Sequence, residues 1–196
     1  MERLYEKIRK EGTVIGTEIL KVDNFLNHRL DVEFLDLVGR EFHTRFAGEQ
    51  VDSILTVEVS GIAVAVLAAR YFQVPVVYAK KHSSKTLSEE TYNAEVFSFT
   101  KKTTYQIKVD RKFISPGDRV LILDDFLAKG QAALGLIEIC RQAGATVVGA
   151  GMVIEKDFQE GGRMLRDQGV RVESLARIRH MDEDGIQFFG GGSDAL

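Results

Sequence analysis

The chain has 196 residues, of which 44% are hydrophobic and 28% are charged, and its formal net charge is -3. This length suits one domain with a sizeable core, and the near-neutral charge argues against the broad positive surface of proteins that bind nucleic acid or anionic membranes. The sequence has no apolar run of membrane-spanning length and begins with a charged segment unlike a secretory signal. We therefore expect a cytoplasmic protein without nucleic-acid or membrane partners.

The cysteine and histidine content limits the chemistry further. Cys140 is the only cysteine, so an intramolecular disulfide is impossible, and its position in an apolar helical pattern predicts a core residue rather than a nucleophile. The four histidines have no ligand spacing with one another or with Cys140. We therefore predict no metal site built by the protein alone.

The N-terminal part combines a short helix with a mixed apolar and amide segment. Residues 2–10 have a helical stripe, and residues 16–31 read GTEILKVDNFLNHRLD. The second segment could be an ordinary loop with a hydrophobic anchor. It could also be a hood over a planar heterocycle, with Leu20 and Phe25 as apolar walls and Asn27 as a donor and acceptor for ring edges.

The next segment predicts a helix, a buried strand and a second helix. The apolar spacing indicates a core-facing helix over residues 31–48, a strand at residues 53–57 and a strongly apolar helix over residues 62–72. The loop between the last two ends in Ser-Gly at a helix start and could bind an anion, although many such loops bind nothing. Its residues are Glu58, Val59, Ser60 and Gly61.

A basic segment after the following strand has two interpretations. Residues 73–78 predict that strand, and the residues after it begin with Lys80 and Lys81 and have little hydrophobic periodicity. They could form a solvated surface loop, or a flap that covers a polyanion and shields a reactive intermediate from water. Residues 94–99 and 103–109 alternate as the arms of a hairpin that would carry a flap at about residues 80–105.

The stretch VLILDDFLAKGQA, residues 120–132, is the most informative. Four apolar residues predict a buried parallel strand, Asp124 and Asp125 follow where we expect it to end, and a helix is predicted over residues 132–143. Ligands bind beyond the carboxyl ends of such strands, and a helix N-terminus attracts phosphate. Because acids would repel a bare phosphate, the pattern favours a sugar phosphate. An isolated pair could instead be a helix cap and a solvated turn residue.

The C-terminal part repeats the pattern of strand and polar loop. Residues 145–155 predict another buried strand. Lys156 follows at its carboxyl end, where it could either cap the sheet edge or donate to a carbonyl on a base. A short helix over residues 161–169 comes next, and a terminal hairpin and a glycine-rich tail complete the prediction.

The stretch at residues 120–132 resembles the phosphoribosyl-pyrophosphate motif of the type I phosphoribosyltransferases, with its apolar strand, two acids and loop of small residues. The resemblance implies that Asp124 and Asp125 hold the ribose hydroxyls and that the loop wraps the ribose 5-phosphate. The loop residues are Ala128, Lys129, Gly130, Gln131 and Ala132. Where the family usually has threonine, this chain has Lys129 and Ala132, so two hydroxyl donors are missing.

The same resemblance assigns roles to the other loops. It implies that residues 58–61 bind pyrophosphate and that the basic segment is the family's flexible loop, so that Lys80 and Lys81 serve pyrophosphate, in their own site or in a neighbouring subunit's. Magnesium is expected as a substrate-bound ion, held mainly by pyrophosphate and ribose oxygens.

Four segments together resemble the bacterial xanthine phosphoribosyltransferases, a family of purine-salvage enzymes: EILKVDNFLNH, VEVSG, DDFLAKGQA and VIEKDFQ. By that resemblance Leu20, Asn27 and Lys156 contact xanthine. The implied fold is α/β, a parallel sheet flanked by helices, in one domain over residues 1–196. Residues 1–30 and the C-terminal hairpin would form a hood, and a flexible hairpin would form a flap. The family resemblance also implies a cytoplasmic homodimer. The implied reaction transfers the 5-phosphoribosyl group to xanthine and gives xanthosine 5'-monophosphate and pyrophosphate.

Two alternatives remain open at the level of sequence. The chain could be a phosphoribosyltransferase for another base, namely guanine, hypoxanthine, adenine or orotate. It could also be a non-catalytic regulator of the same fold that senses phosphoribosyl pyrophosphate. The missing threonines favour a regulator, whereas the lack of a DNA-binding segment before residues 2–10 argues against one.

Overall fold

The structure is a computed structural model that describes residues 1–81, 90–99 and 102–189. Its helices are α1 (Glu2–Glu11), α2 (Val32–Arg45), α3 (Gly61–Phe72), α4 (Gln131–Ala143) and α5 (Gly161–Asp167). Its strands are β1 (Thr13–Ile15), β2 (Ile19–Lys21), β3 (Ser53–Val57), β4 (Val76–Ala79), β5 (Thr91–Ser98), β6 (Thr103–Asp110), β7 (Arg119–Leu127), β8 (Thr146–Lys156), β9 (Val172–Asp182) and β10 (Gly185–Phe188).

A six-stranded sheet with the order β10-β9-β8-β7-β3-β4 forms the centre of the fold. The strands from β9 to β4 pair in parallel, and only the edge strand β10 is antiparallel, to β9. The predicted parallel sheet flanked by helices is therefore confirmed, and so is the terminal hairpin. Parallel strands direct all their carboxyl ends to one edge of the sheet, which is where ligands bind in such folds.

Two hydrophobic clusters cover the two faces of this sheet. One contains buried residues of α1, α2 and α3 and of the segment after β2, among them Phe25, Phe34 and Phe42. The other contains residues of α4, α5 and the hairpin β5–β6, among them Leu136 and Cys140. Burial raises the pKa of the Cys140 thiol to about 12, which agrees with the predicted core residue and leaves no thiolate at neutral pH.

Capping residues explain where the longest helix, α2, begins and where the next longest, α4, ends. Asp31 caps α2 by accepting a hydrogen bond from the backbone N–H of Phe34 at 3.0 Å. Gly144 ends α4 in the left-handed conformation, at a φ of 70°. Among the described residues, no helix is both long enough and apolar enough to cross a membrane.

The prediction that strand β7 ends before the acidic pair is wrong. The strand continues through both acids to Leu127, and Asp124 pairs with Met152 of β8. The apolar run ends at Leu123, but backbone pairing with β8 continues because β8 is itself long, eleven residues. Asp124 consequently lies inside the sheet, only 6% exposed, and helix α4 begins one residue earlier than predicted, at Gln131.

The N-terminal segment folds into a short hairpin followed by a helical turn. Strands β1 and β2 pair as a small antiparallel hairpin, and Asp23–Asn27 forms one turn of π-helix. Helix α1 packs against the terminal hairpin through Tyr5 and Phe188, whose ring centroids are 4.7 Å apart. The N-terminal helix and the C-terminal hairpin, the two parts of the predicted hood, therefore contact each other.

The hairpin β5–β6 is confirmed, with Thr91 to Ser98 opposite Asp110 to Thr103. Helix α4 holds its base, because the side chain of Gln142 accepts from the backbone N–H of Asn93 and donates to its carbonyl. The central part of the predicted flap, residues 82–89, and the hairpin turn at residues 100–101 lie outside the described residues, as does the tail from residue 190.

Candidate active site

The carboxyl edge of the sheet carries a cleft of about 670 Å³. Four regions of the chain form it: the loop after β7, the end of β8, the hairpin β5–β6 and the start of β2. Its lining residues are Glu18, Ile19, Val96, Phe97, Phe99, Tyr105, Phe126, Leu127, Ala128, Lys129, Gly130, Gln131, Ala132, Ala133, Lys156 and Gln159. The structure therefore brings all five residues of the predicted phosphate loop into one cleft with Lys156.

The phosphate loop begins directly after β7 and leads into α4. Gly130 precedes the helix at a φ of 75°, a conformation that suits glycine. The backbone N–H groups of the first turn of a helix have no partner within the helix and point towards its N-terminus. The loop thus offers backbone donors and partial positive charge to an anion in the cleft.

Lys129 is the cation of this loop, and it contacts the hairpin. Its ammonium nitrogen lies 3.8 Å from the centroid of the Phe99 ring, and Phe99 is packed edge to face against Phe97. A cation over an aromatic face is an attractive contact. In this structure the residue that replaces a threonine of the family motif joins the phosphate loop to the hairpin.

The acidic pair consists of one buried and one partly exposed carboxyl group. Desolvation and the neighbouring charge of Asp125 hold the pKa of Asp124 well above its ordinary value, against the opposing charge of Lys81. The Asp124 carboxylate also accepts a hydrogen bond from the backbone N–H of Asp125, at 3.0 Å. A carboxylate held in this way is stabilised by any ligand that brings hydroxyl donors or positive charge.

The loop after β3 packs directly against the acidic pair. A Cβ atom at Gly61 would lie 2.5 Å from Oδ1 of Asp124 and would overlap the hydroxyl of Thr56. Only glycine therefore fits this approach. The peptide bond between Glu58 and Val59 is cis. The predicted pyrophosphate loop and the predicted ribose-binding acids are adjacent in space, although more than sixty residues separate them in sequence.

The two flap lysines face different surfaces. The backbone N–H of Lys81 donates to the Glu58 carboxylate at 2.6 Å, and its ammonium lies 5.5 Å from the ring centroid of Tyr105, which lines the cleft. Lys80 instead pairs with Lys108 through its backbone and lines a second groove of about 260 Å³ beside the edge strand β4. Only Lys81 is joined to the described cleft.

Lys156 is a partly buried cation that lines the cleft at the end of β8. Its ammonium donates to the carbonyl oxygen of Glu18 at 2.5 Å and lies 5.5 Å from the ring centroid of Phe126. Desolvation lowers the pKa of Lys156, with a smaller opposing effect from the Glu18 carboxylate. A hydrogen-bond acceptor on a ligand would therefore contact an ammonium group that is already partly desolvated.

The other two predicted base contacts lie less directly on the cleft. Leu20 is 6% exposed and its side chain packs in the core, whereas Ile19, the residue before it, is 47% exposed and lines the cleft. Successive residues of a strand point to opposite faces, which explains the difference. Asn27 is exposed at the end of the π-helix and is not among the described residues that line the cleft.

Sequence reasoning missed several apolar residues of the cleft, notably Ile19, Phe126 and Tyr105. Phe126 had a usable signal, because an aromatic residue directly after an acidic pair at a strand end is exposed to the same edge of the sheet. Tyr105 had none, because its hairpin reaches the cleft through tertiary contacts with α4 and with Lys80.

The carboxylates of this edge fit a metal ion only in part. Within residues 1–81, 90–99 and 102–189, no three His, Cys, Asp or Glu side chains are grouped closely enough to hold a metal ion. Asp124 and Asp125 do offer two oxygen-donor side chains of the type that Mg²⁺ prefers. They suit an ion whose remaining ligands come from a bound substrate.

Comparison with known proteins adds the family relationship. The phosphoribosyl transferase domain family matches residues 32–177. A xanthine phosphoribosyltransferase of Clostridium perfringens is 54% identical to this chain over 189 residues, which cover 96% of the chain and 100% of the relative. The xanthine phosphoribosyltransferase of Clostridioides difficile is 52% identical over the same coverage.

Solved structures resemble the fold as well. The adenine phosphoribosyltransferase of Rhodothermus marinus superposes with a TM-score of 0.73 over 90% of this chain and 99% of its own, at 23% sequence identity. The enzyme of Saccharomyces cerevisiae superposes with a TM-score of 0.71 at 20% identity, over 89% of this chain and 99% of its own. These likenesses confirm the fold that the sequence predicts.

We expect the substitution Asp124→Asn to stabilise the ligand-free protein. Folding raises the pKa of the Asp124 carboxyl, so ionising this group destabilises the native state. This free-energy cost is absent below the ordinary pKa of about 4 and grows as the pH rises towards the pKa in the folded protein. The advantage of the variant over the wild type should therefore increase with pH. Each 1 kcal/mol corresponds to a Tm shift of about 2–4 °C in a chain of this size.

Thermal unfolding of both proteins between pH 4 and pH 8 measures this difference. The matched control is Asp125→Asn, because Asp125 is partly exposed and should change the Tm less. A variant at Asp124 that is less stable than the wild type at neutral pH, or a difference that shrinks as the pH rises, would contradict the raised pKa.

Proposed function

This chain belongs to the phosphoribosyltransferase family, and we propose that it transfers the 5-phosphoribosyl group of phosphoribosyl pyrophosphate to xanthine, releasing pyrophosphate and giving xanthosine 5'-monophosphate. The observation that carries the proposal is the position of Lys156, a poorly solvated cation in the same cleft as residues 128–132. The curated relatives named above support xanthine as the base.

The proposed substrate lies along the carboxyl edge of the sheet. The ribose 5-phosphate binds the backbone donors of residues 128–132, and the ribose hydroxyls meet Asp124 and Asp125. The base occupies the end of the cleft near Lys156. A volume of about 670 Å³ is within the usual range for a pocket that holds a small ligand.

The base is recognised by donors and by apolar surfaces. Xanthine presents two carbonyl oxygens, and at neutral pH it readily loses a proton, so cationic and amide donors favour it. Lys156 supplies the cation, while Ile19 and Phe126 supply apolar surface in the same part of the cleft. Leu20 contributes through its backbone, because its side chain is buried, and Asn27 contributes its exposed amide after movement of the hood.

The pyrophosphate is bound by the loop of Glu58, Val59, Ser60 and Gly61 and by Lys81. Support comes from the close approach of Gly61 to Asp124 and from the hydrogen bond between Lys81 and Glu58. Both contacts join this loop to the rest of the site. Lys80, which faces the second groove, serves the site of a neighbouring subunit.

The reaction forms a bond between a purine ring nitrogen and the anomeric carbon of the ribose. The bond from that carbon to pyrophosphate breaks with its electron pair on the leaving oxygen, and the proton of the attacking nitrogen passes to water. Positive charge develops on the ribose ring as the bond breaks, and the carboxylates of Asp124 and Asp125 stabilise it electrostatically. Mg²⁺ bound with the substrate would neutralise charge on the leaving pyrophosphate.

The protein's main task in this scheme is positioning. No side chain is required as a nucleophile, in keeping with the buried Cys140. Orienting two bound reactants and excluding water can lower the barrier by about 7–11 kcal/mol in favourable cases. The hairpin β5–β6 lines one side of the cleft and helps to keep water from the reacting atoms there.

The proposal includes a homodimer in the cytoplasm. The groove that contains Lys80 also contains two large exposed apolar side chains, Tyr78 at 41% and Phe113 at 55% exposure. It lies beside β4, an edge strand whose outer side has no neighbour in the described sheet. A second copy of the chain would cover these side chains and the edge. A cytoplasmic location suits a polyanionic substrate.

The reaction itself is tested by measuring pyrophosphate release from phosphoribosyl pyrophosphate and magnesium with each base in turn. We expect the highest kcat/KM with xanthine and the lowest with adenine, because adenine presents an amino group where xanthine presents a carbonyl. Replacing Asp124 and Asp125 together with Asn should abolish turnover. A preference for adenine or orotate would indicate another base specificity, and absence of turnover with every base would indicate a regulator.

Lys156→Ala should weaken xanthine selectively. A hydrogen bond from a charged group contributes roughly 1.5–3 kcal/mol, so the KM for xanthine should rise by one to two decades, at about 1.4 kcal/mol per decade. The KM for phosphoribosyl pyrophosphate should barely change. Steady-state kinetics with both substrates varied measures the two values, and Lys10→Ala on the exposed face of α1 is the control. Equal increases in both KM values would contradict the assigned role.

Tyr78→Glu combined with Phe113→Glu should convert the dimer into a monomer, because each charge would be buried against the second copy. Analytical ultracentrifugation of the variant and of the wild type gives the mass directly. Val32→Glu, at an exposed position at the start of α2, is the matched control and should leave the dimer intact. A wild-type monomer, or an unchanged dimer in the double variant, would refute this interface.

A further inference from the structure

A partly buried ion pair lies between β8 and α5, next to the phosphate loop. Glu155 of β8 is completely buried, and its carboxylate accepts both terminal N–H groups of Arg166 of α5, at 2.6 and 2.8 Å. The hydroxyl of Ser174 donates to the same carboxylate at 2.5 Å, and Arg177 lies 3.6 Å away.

This ion pair is fully satisfied. Burial acts to raise the pKa of Glu155, but the hydrogen bonds of Arg166 and Ser174 and the charges of Arg166 and Arg177 outweigh it and lower the pKa. The carboxylate is therefore charged at neutral pH. A two-pronged contact between a guanidinium and a carboxylate fixes direction as well as distance, so Arg166 sets the orientation of α5 relative to β8.

Two consecutive glycines at the start of α5 transmit this orientation. A Cβ atom at Gly162 would overlap the carboxylate of Glu155, so the helix backbone lies directly against the ion pair. A Cβ atom at Gly161 would lie 2.5 Å from the backbone nitrogen of Gly130 and would overlap the carbonyl oxygen of Ala128. One glycine contacts the ion pair and the next contacts the phosphate loop.

A hydrogen bond completes the connection. The backbone N–H of Gly161 donates to the carbonyl oxygen of Ala128 at 3.1 Å. Strand pairing reinforces it, because Glu155 lies opposite Leu127, the last residue before the loop. The loop is thus held on one side by its own strand and on the other by the first turn of α5.

We propose that Glu155 and Arg166 are positioning residues for the phosphoribosyl donor: their ion pair holds the start of α5 against residues 128–130 and keeps the backbone amides of the loop directed at the 5-phosphate. The inference presupposes the proposed transfer reaction. It assigns the pair to donor binding, because the start of α5 contacts the phosphate loop directly, whereas no described hydrogen bond joins α5 to Lys156.

The variants Glu155→Gln and Arg166→Met test the proposal. Displacement of binding groups by about 1 Å can cost up to about a hundredfold in rate, so we expect the KM for phosphoribosyl pyrophosphate to rise about tenfold or more. The KM for xanthine should stay within about twofold. Arg166→Lys keeps the charge without the planar fork and should give an intermediate KM for the donor.

The control is Arg119→Met. Arg119 also forms an ion pair, with Glu49, and donates to the carbonyl of Gln50, but it lies at the amino end of β7. Its loss should leave both KM values unchanged even if the Tm falls. Increases of equal size in both KM values of the Glu155 and Arg166 variants, or an unchanged donor KM in a folded variant, would overturn the proposal.

Hydrogen exchange of the backbone amides at residues 128–133 supplies a readout that does not depend on turnover. We expect faster exchange there in the ligand-free Glu155 and Arg166 variants and unchanged exchange in Arg119→Met. Unchanged exchange in the ion-pair variants would contradict the positioning role. If the wild type shows no turnover with any base but the exchange result holds, the transfer reaction is wrong and the positioning of the loop is correct.

Gly161→Ala tests the contact between α5 and the phosphate loop without changing the ion pair. This variant tests the proposal if the ion-pair variants do not fold. The added methyl group displaces the loop directly, so the same selective rise in donor KM and the same faster exchange are expected. A folded Gly161→Ala with wild-type values for both would refute the connection between α5 and the loop.

Discussion

The burial of a carboxyl group beside a second carboxyl group is the constraint on which this site depends. Asp124 lies within a strand of the central sheet, and desolvation together with Asp125 opposes its ionisation. In the ligand-free protein this arrangement costs stability, and a bound ligand that brings hydroxyl donors and positive charge removes the cost. The backbone of Gly61 occupies the space on one side of the carboxylate. The loop proposed for pyrophosphate is therefore positioned by the same group that is proposed to bind ribose.

Glu155 and Lys156, two adjacent residues of β8, show that the hydrogen-bond and ion-pair partners of a buried group determine how its pKa shifts. Glu155 is buried among Arg166, Arg177 and Ser174, so its pKa is lowered and its charge is retained inside the protein. Lys156 is partly buried, and the carbonyl of Glu18 is a weaker partner than a carboxylate, so desolvation lowers its pKa. The first residue has all its bonding capacity used by the fold and suits a structural role. The second retains capacity for a ligand.

The cleft depends on contacts between segments that are distant in sequence. Gln142 of α4 holds the base of the hairpin β5–β6, and Gly135 of the same helix allows close packing against Val96 and Ile107. The other end of α4 begins at the phosphate loop. One helix therefore fixes both the loop and the hairpin that lines the cleft beside it, and the contact of Lys129 with Phe99 joins the two again.

The sequence by itself determined the order of the elements and the edge at which the site lies. Near-continuous apolar runs identify buried parallel strands, and polar loops after three of them must share one edge because parallel strands end together. The positions of the acidic pair and of Lys156 at this edge followed from that pattern, whereas the roles of the phosphate-loop residues came from the resemblance to the type I phosphoribosyltransferases. Only the tertiary structure decided that β7 continues through Asp124, since pairing with β8 outweighs the end of the apolar run. It also decided that Ile19 rather than Leu20 presents its side chain to the cleft, that Lys80 and Lys81 diverge, and that α5 supports the phosphate loop. These facts depend on strand pairing and on close packing between distant segments, which local spacing does not encode.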